Sequence, residues 1–335
     1  MRKIAIVVGN SVYSYRKEFL ERLARFECID LYCSSAVQLH NINVVKCATL
    51  RVGQFRFQPK VLNLLCFWRY KKIIVVGNFN YVSNALLLCL VPKNRLVSWG
   101  FWETRSKLAN LLRRYLATKC STNLLYAPSH SNIIPEHKAQ FLVARNTVMA
   151  EPKFRGRQNK NSLIFVGSLN ARKRLIVFLP VFKRLRRLND SLILDIIGDG
   201  PEKNELVNKV IELQLTEHVR FHGRITDSRK LSEFYAKAII EISIGQAGLS
   251  VPMALGHGVP FATLSGAISG GETDSIIDNV TGFKKDSLSD LELALSRLVT
   301  DIELIELLST QSRAYYEAHL SIDNMVDAFK EALCQ

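Results

Sequence analysis

Short apolar runs rich in Val and Ile alternate with longer stretches of helical period along the whole chain, and this alternation restricts the fold more than any other feature. In the first half the strand-like runs are residues 3–8, 28–33, 73–76, 95–99 and 122–126, separated by helical stretches such as 16–25, 82–90 and 106–116. In the second half the runs are 162–166, 192–197, 219–221, 239–243 and 260–263, with helical stretches at 175–188, 201–213 and 231–238. Near-continuous apolar strands between amphipathic helices mark parallel sheets covered on both faces. Two such series in tandem predict an α/β protein of two doubly wound, Rossmann-like domains. A length of 335 residues suits two domains. The polar, pattern-free stretch 150–161 is the expected joint, dividing the chain near 155/156.

Composition narrows the class. A chain 48% hydrophobic and 22% charged folds. Its longest apolar run, around residues 85–91, falls far short of the roughly 18 to 20 residues that span a bilayer. The apolar run at the N-terminus stops at a Gly-Asn-Ser turn and reads as a first strand rather than a signal peptide. The seven cysteines are odd in number and none are spaced as metal ligands, which points to a reducing, cytoplasmic compartment without disulfides or zinc. Charge is divided unevenly. Residues 1–155 hold 24 Lys plus Arg against 7 Asp plus Glu, whereas the remainder holds 21 against 23. The first half therefore carries the whole formal excess of +15 and is expected to meet something anionic.

Ligands of open parallel sheets collect beyond the carboxyl ends of the strands. Glycines gather there in the second half: Gly167, Gly198, Gly200, Gly223 and Gly245. Arg172 and Lys173 lie just past the first, where a cation reaches a phosphate. The run from Gly245 through Gln246, Gly248, Leu249 and Ser250 reads as a glycine loop feeding a helix, with Ser250 as N-cap. A Gly-x4-Gly-Lys phosphate loop is absent, as is Gly-x-Gly-x-x-Gly after the first strand.

Four blocks, Phe165-Val-Gly-Ser-Leu-Asn-Ala-Arg-Lys173, Ile197-Gly-Asp-Gly-Pro201, Val219-Arg-Phe-His-Gly223 and the run 245–260, together resemble the donor domain of glycosyltransferase family 4. The resemblance covers residues 163–283 and closes on Asp278-Asn-Val-Thr-Gly-Phe283; in the first half it is weaker, resting on Tyr15-Arg16, Trp99-Gly100 and Asn146-Thr147. It implies the GT-B architecture, two Rossmann-like domains facing a cleft. Residues 1–155 would bind the acceptor, 156–318 the nucleotide-sugar donor, and a C-terminal helix, 319–335, would cross back to the first domain. It also implies sugar transfer from a UDP- or GDP-sugar, with retention, to a glycan or lipid-linked acceptor in surface polysaccharide or lipopolysaccharide synthesis. Neither cofactor nor metal is implied, because basic groups neutralise the leaving diphosphate. Lys173 matches the family's donor-phosphate lysine, Gly248 and Leu249 the loop whose amides meet the donor, and His222, Gly223, Arg224 and Ile225 the region near the base. Ser168 replaces the family's phosphate-binding arginine. The paired glutamates fall on Gly245 and Met253, as in a branch of polysaccharide enzymes that lacks them.

Other residues carry two readings each. Gln246 bonds a sugar hydroxyl or faces water. Tyr15 and Arg16 lie on the acceptor side, where Arg16 meets a phosphate or caps a helix. Glu103 accepts the acceptor's proton or pairs with Arg105 or Lys107. The basic-aromatic stretches 51–72 and 106–119 lie on an anionic membrane surface or pack as ordinary amphipathic helices; the charge excess favours peripheral attachment to the inner face of the cytoplasmic membrane. Two alternatives stand beside the enzyme: a catalytically inactive scaffold in a glycan-assembly complex, and a nucleic-acid binder, for which the chain has no recognised module.

Overall fold

The computed structural model describes residues 3–78, 80–101, 107–133, 140–150 and 160–335. The chain divides into two compact units, residues 1–146 with 322–335, and residues 147–321.

The first unit runs β1 (Lys3–Val7), α1 (Lys17–Leu23), β2 (Ile29–Cys33), β3 (Ile42–Lys46), the hairpin β4 (Leu50–Val52) and β5 (Phe55–Phe57), β6 (Tyr70–Val76), α2 (Val82–Leu90), β7 (Leu96–Phe101), α3 (Lys107–Ala117), β8 (Thr122–Leu125) and β9 (Gln140–Val143). Its main sheet is parallel, in the order β3-β2-β1-β6-β7-β8-β9. Ile4, Ile6, Ile74, Val97 and Trp99 fill one face of this sheet and Ala5, Val7, Ile73, Val75 and Leu96 the other, as strands buried on both sides require.

The second unit runs β10 (Ser162–Val166), α4 (Leu175–Leu185), β11 (Ile193–Ile197), α5 (Lys203–Glu212), β12 (Val219–Gly223), α6 (Ser228–Lys237), β13 (Ala238–Ile242), α7 (Ser250–Gly256), β14 (Phe261–Leu264), β15 (Gly282–Lys285), α8 (Leu288–Leu298) and α9 (Ile302–His319). Its sheet is parallel, ordered β12-β11-β10-β13-β14-β15. Helix α6 starts three residues before the apolar period does, because Asp227 caps it by accepting from the amides of Arg229 and Lys230.

Both main sheets have the doubly wound order, so each has a switch point where the order reverses: between β1 and β6, and between β10 and β13. Each unit is thus a Rossmann-like domain, as the alternation of strands and helices predicts.

The units divide at 146/147 and 321/322 rather than at 155/156 and 318/319. The reason is local: Thr147 donates to the Leu320 carbonyl, while the Tyr316 hydroxyl accepts from the Ala150 amide and donates to the Val148 carbonyl. Residues 147–150 are thereby stitched to the end of α9. The rest of the expected joint, 151–159, lies outside the described residues. Helix α10 (Ile322–Cys334) belongs to the first unit, where Met325, Val326, Phe329 and Leu333 pack with Phe19 and Trp99.

Candidate donor and anion sites

In the second unit the loops that follow β10 and β13 meet at the switch point. Asn170 accepts from the Arg172 amide and so caps a single 3-10 turn, Ala171–Lys173, that swings Lys173 inward. The ammonium of Lys173 is buried and donates to the Gln246 carbonyl at 3.0 Å, while the Gly245 amide donates to the Lys173 carbonyl at 3.1 Å. Ser243 Oγ donates to that same Gln246 carbonyl at 2.7 Å. Burial lowers the Lys173 pKa, Glu241 and Glu272 act to raise it, and Arg172 lowers it further.

Beside this lysine is a pocket of about 350 Å³, lined by Gly167, Ser168, Gly198, Asp199, Arg224 and Ile225 among others. A Cβ built on Gly167 would lie 3.5 Å from Lys173 Nζ, which places the ammonium against the pocket's glycine wall. The expected donor residues Gly167, Ser168, Gly198, Arg224 and Ile225 are thus brought together with Lys173, Gly245 and Gln246 alongside. Arg172 is exposed next to them.

Other expectations are corrected. His222 is not turned to the pocket: its Nε2 lies 2.7 Å from Asp195 Oδ1 and its ring packs on Phe234, so it anchors β12 to β11. Gly223 does not line the pocket either. Ser250 is not the N-cap of α7. Leu249 already has helical dihedrals and occupies that position, and Val251 donates to the Gly248 carbonyl. The Ser250 hydroxyl is buried and acts on the Glu241 carboxyl instead. Met253 packs against the core from α7. Nor are the rim glycines all bare for a ligand. A Cβ on Gly245 would strike the Arg172 carbonyl at 2.2 Å, so that glycine serves the close approach of two loops. Gly248 differs, because its missing Cβ would meet nothing within 4 Å.

Sequence reading missed Glu241, an acid in the otherwise apolar Ala-Ile-Ile-Glu-Ile of β13. It is fully buried and accepts from the Tyr235 hydroxyl at 2.8 Å, with Ser250 and the Val166 backbone also favouring its charged form. Burial pushes its pKa up to about 8, against the lowering by Tyr235 and Lys173. Tyr235 in turn stacks on His257 at 4.6 Å.

In the first unit, a smaller pocket of about 160 Å³ opens at the switch point between β1 and β6. Arg16 lines it from a 3-10 turn, Ser14–Arg16; Tyr15 stacks on Tyr13. Glu103 lies outside the described residues. The stretch 51–72 is not helical: the β4–β5 hairpin turns at Gly53, with φ +57, and short 3-10 turns follow. Helix α3 does form, and Leu108, Leu111, Leu112 and Tyr115 stand out from it, Leu108 77% and Leu111 66% exposed, while Leu116 and Arg113 turn inward.

Among the described residues no side-chain cluster could hold a metal ion, the cysteines are free thiols, and no helix is long and apolar enough to cross a membrane.

The profile of the family described as Glycosyl transferases group 1 matches residues 150–314, the second unit almost in full. These residues are a glycosyl transferases group 1 domain. The domain is thus that of an enzyme, a glycosyltransferase. Over 207 residues the chain is 27% identical to the amylovoran biosynthesis glycosyltransferase AmsD of Erwinia amylovora, a match that covers 62% of this chain and about half, 53%, of AmsD. Among solved structures it is similar to Anabaena HepE in complex with UDP and glucose, at 13% identity, a TM-score of 0.71 and complete coverage of both chains. It is also similar to WaaG, a glycosyltransferase involved in lipopolysaccharide biosynthesis, at 14% identity, a TM-score of 0.63 and 98% of each chain.

Proposed function

We propose that this chain transfers a sugar, with retention, from a UDP- or GDP-sugar held by the second unit to a glycan or lipid-linked acceptor of a bacterial surface polysaccharide or lipopolysaccharide. The observation that carries the reading is Lys173, an ammonium held at the switch point against the glycine wall of the donor-sized pocket. Bond cleavage to the sugar leaves negative charge on a nucleoside diphosphate. A fixed cation in a partly desolvated site stabilises that charge without reorganising, with exposed Arg172 in support and no metal required. The open space over Gly248 admits a diphosphate close to the loop backbone. The relatives agree with this reading, since HepE was solved with UDP and glucose and the names of AmsD and WaaG refer to amylovoran and lipopolysaccharide biosynthesis. Calorimetric titration with UDP and GDP tests it. Lys173→Ala should weaken nucleotide binding about 10- to 100-fold, the worth of one charge-assisted contact. Equal affinity in the variant refutes the site. Absence of nucleotide binding in the parent chain favours the inactive scaffold.

The same reading places the enzyme on the inner face of the cytoplasmic membrane. The face of α3 formed by Leu108, Leu111, Leu112 and Tyr115 has helical spacing and no covering element among the described residues, and Lys119 lies 4.9 Å over the Tyr115 ring. From residue 31 to 135 the chain holds 14 Lys plus Arg and a single acid, Glu103. Apolar side chains beside unbalanced cations fit an anionic lipid interface. Leu111→Glu with Leu112→Glu should abolish co-sedimentation with phosphatidylglycerol vesicles; unchanged sedimentation of the folded double variant would sink the idea.

A further inference from the structure

The pocket of the first unit is lined by a cation that faces no carboxylate among the described residues. Arg16 lines it together with Asn10, Ser11, Tyr13, Asn78 and Tyr126. Its guanidinium lies 4.4 Å over the ring of the fully buried Trp99, and Nη2 donates to the Tyr126 hydroxyl at 2.8 Å. Arg16 Nε is buried and has no partner. Among the described residues no carboxylate pairs with Arg16 and none lines the pocket. Burial works against this charge, and the hydroxyls of Tyr126 and Tyr15 outweigh it and hold the guanidinium's pKa above its usual value, so the cation is kept in the wall by neutral groups that leave its charge free for an anion.

The surroundings hold that cation in place. Gly100 adopts φ +73, and a Cβ there would lie 2.3 Å from Tyr126 Cζ, so the glycine makes room for the ring whose hydroxyl orients Arg16. Asn10 is fixed too. Its Oδ1 accepts from the Tyr81 hydroxyl at 2.6 Å and from Arg56 Nη1 at 2.9 Å. Both donors fall on the oxygen, which assigns the amide orientation and leaves the Nδ2 hydrogens to donate. The wall is thus rich in donors, carries a positive charge and sits at a switch point, where ligands of such sheets bind.

We infer that this pocket binds a phosphoryl group of the acceptor, with Arg16 as its counter-ion and Asn10 as a further donor, so that the acceptor is a phosphorylated sugar or a lipid diphosphate rather than a neutral glycan. This inference rests on the proposed glycosyl transfer for the word acceptor, though not for the anion site itself. Both ligand sources share the phosphate chemistry, since the oxygens of a monoester and of a diphosphate meet a guanidinium in the same way.

The test uses the full chain saturated with UDP, which occupies the donor site of the second unit. Glucose 6-phosphate, farnesyl diphosphate, inorganic phosphate and the neutral controls glucose and farnesol are titrated by calorimetry, with tryptophan fluorescence reporting on Trp99. The phosphorylated probes should bind and the neutral ones should not; the tighter of glucose 6-phosphate and farnesyl diphosphate identifies the source. Arg16→Gln should weaken phosphate binding at least tenfold, and Arg16→Lys, which keeps the charge and loses the fork, should recover part of it. UDP affinity should be the same in all three proteins. Phosphate probes that bind Arg16→Gln and Arg16→Lys as tightly as the parent, or that fail to bind the parent, overturn the inference. Loss of UDP binding with phosphate binding intact would instead overturn the donor site and leave this pocket standing.

Discussion

Glu241→Gln isolates the most perturbed carboxyl in the described structure. In the folded chain burial lifts Glu241 to about 8, from an ordinary 4.5. Below pH 4.5 the folded and unfolded chains both hold the proton. Between 4.5 and 8 the unfolded chain gives it up and the folded chain keeps it, so stability falls as pH rises through that window. At about 1.4 kcal/mol per pK unit the loss is on the order of 5 kcal/mol by pH 8, an upper limit because buried sites relax and admit water. Gln has nearly the same volume, stays neutral and can still accept from the Tyr235 hydroxyl. The variant should therefore match the parent at about pH 5 and exceed it by a few kcal/mol at about pH 8.5. Urea unfolding, followed by circular dichroism at the two pH values, measures the difference. Parallel stability curves for parent and variant would refute the reasoning, since they would mean that Glu241 ionises in the folded chain as easily as in the unfolded one.

Two further substitutions probe the same region. His257, which burial and then Arg313 lower to about 4 from 6.5, stays neutral in the folded chain, so stability should be lost as pH falls from 6.5 to 4. His257→Phe keeps a ring on Tyr235 and should remove that acid loss, about 3 kcal/mol at most, from urea unfolding near pH 4; a variant with the parent's acid sensitivity contradicts the assignment. Gly248→Val should leave the melting temperature within a few degrees, because no neighbour opposes the new Cβ, while weakening UDP binding at least tenfold by calorimetry. A variant that binds UDP normally would show that the donor does not approach this loop.

What the sequence disclosed follows from where each element sits. Strands β1, β6, β10 and β13 flank the two switch points with neighbours on both sides, and their unbroken apolar runs announced them. Within the two main sheets the strands it passed over, β3, β9 and β15, are edges, and it missed the separate β4–β5 hairpin as well. An edge strand has one neighbour and a wetter face, so Ile-Asn-Val-Val-Lys and Gly-Phe-Lys-Lys carry polar residues that blur the pattern. Lys173 stood out as a candidate because the block of residues around it resembles a known donor domain. The constellation of Asn10, Arg56 and Tyr81 was not, because its members lie 46 and 71 residues from Asn10 and only the crossovers of the sheet unite them. Glu241 lay open to view as the lone acid in its strand. Its weight comes from a depth of burial that composition does not report.

The neutrality of Glu241 bears on how Lys173 can work. An ionised carboxylate at this depth would pair with the nearby ammonium, and a phosphate would then have to compete with it for the charge. Burial settles the competition in advance. It costs less to leave the proton on Glu241 than to bury its charge, so near pH 7 the carboxyl is mostly uncharged, and the charge it does carry acts to raise Lys173. Among the described residues the ammonium's hydrogen bond goes to the Gln246 backbone carbonyl rather than to a carboxylate. A fixed positive charge hydrogen-bonded to a backbone carbonyl is suited to an anion that arrives and departs, which is what the proposed transfer asks of it. Rising pH undoes this in two ways, since Glu241 begins to ionise while Lys173, already lowered by burial, begins to lose its proton. The proposed nucleotide binding should therefore weaken at alkaline pH through groups in the second unit's core, beneath the residues that would touch the donor.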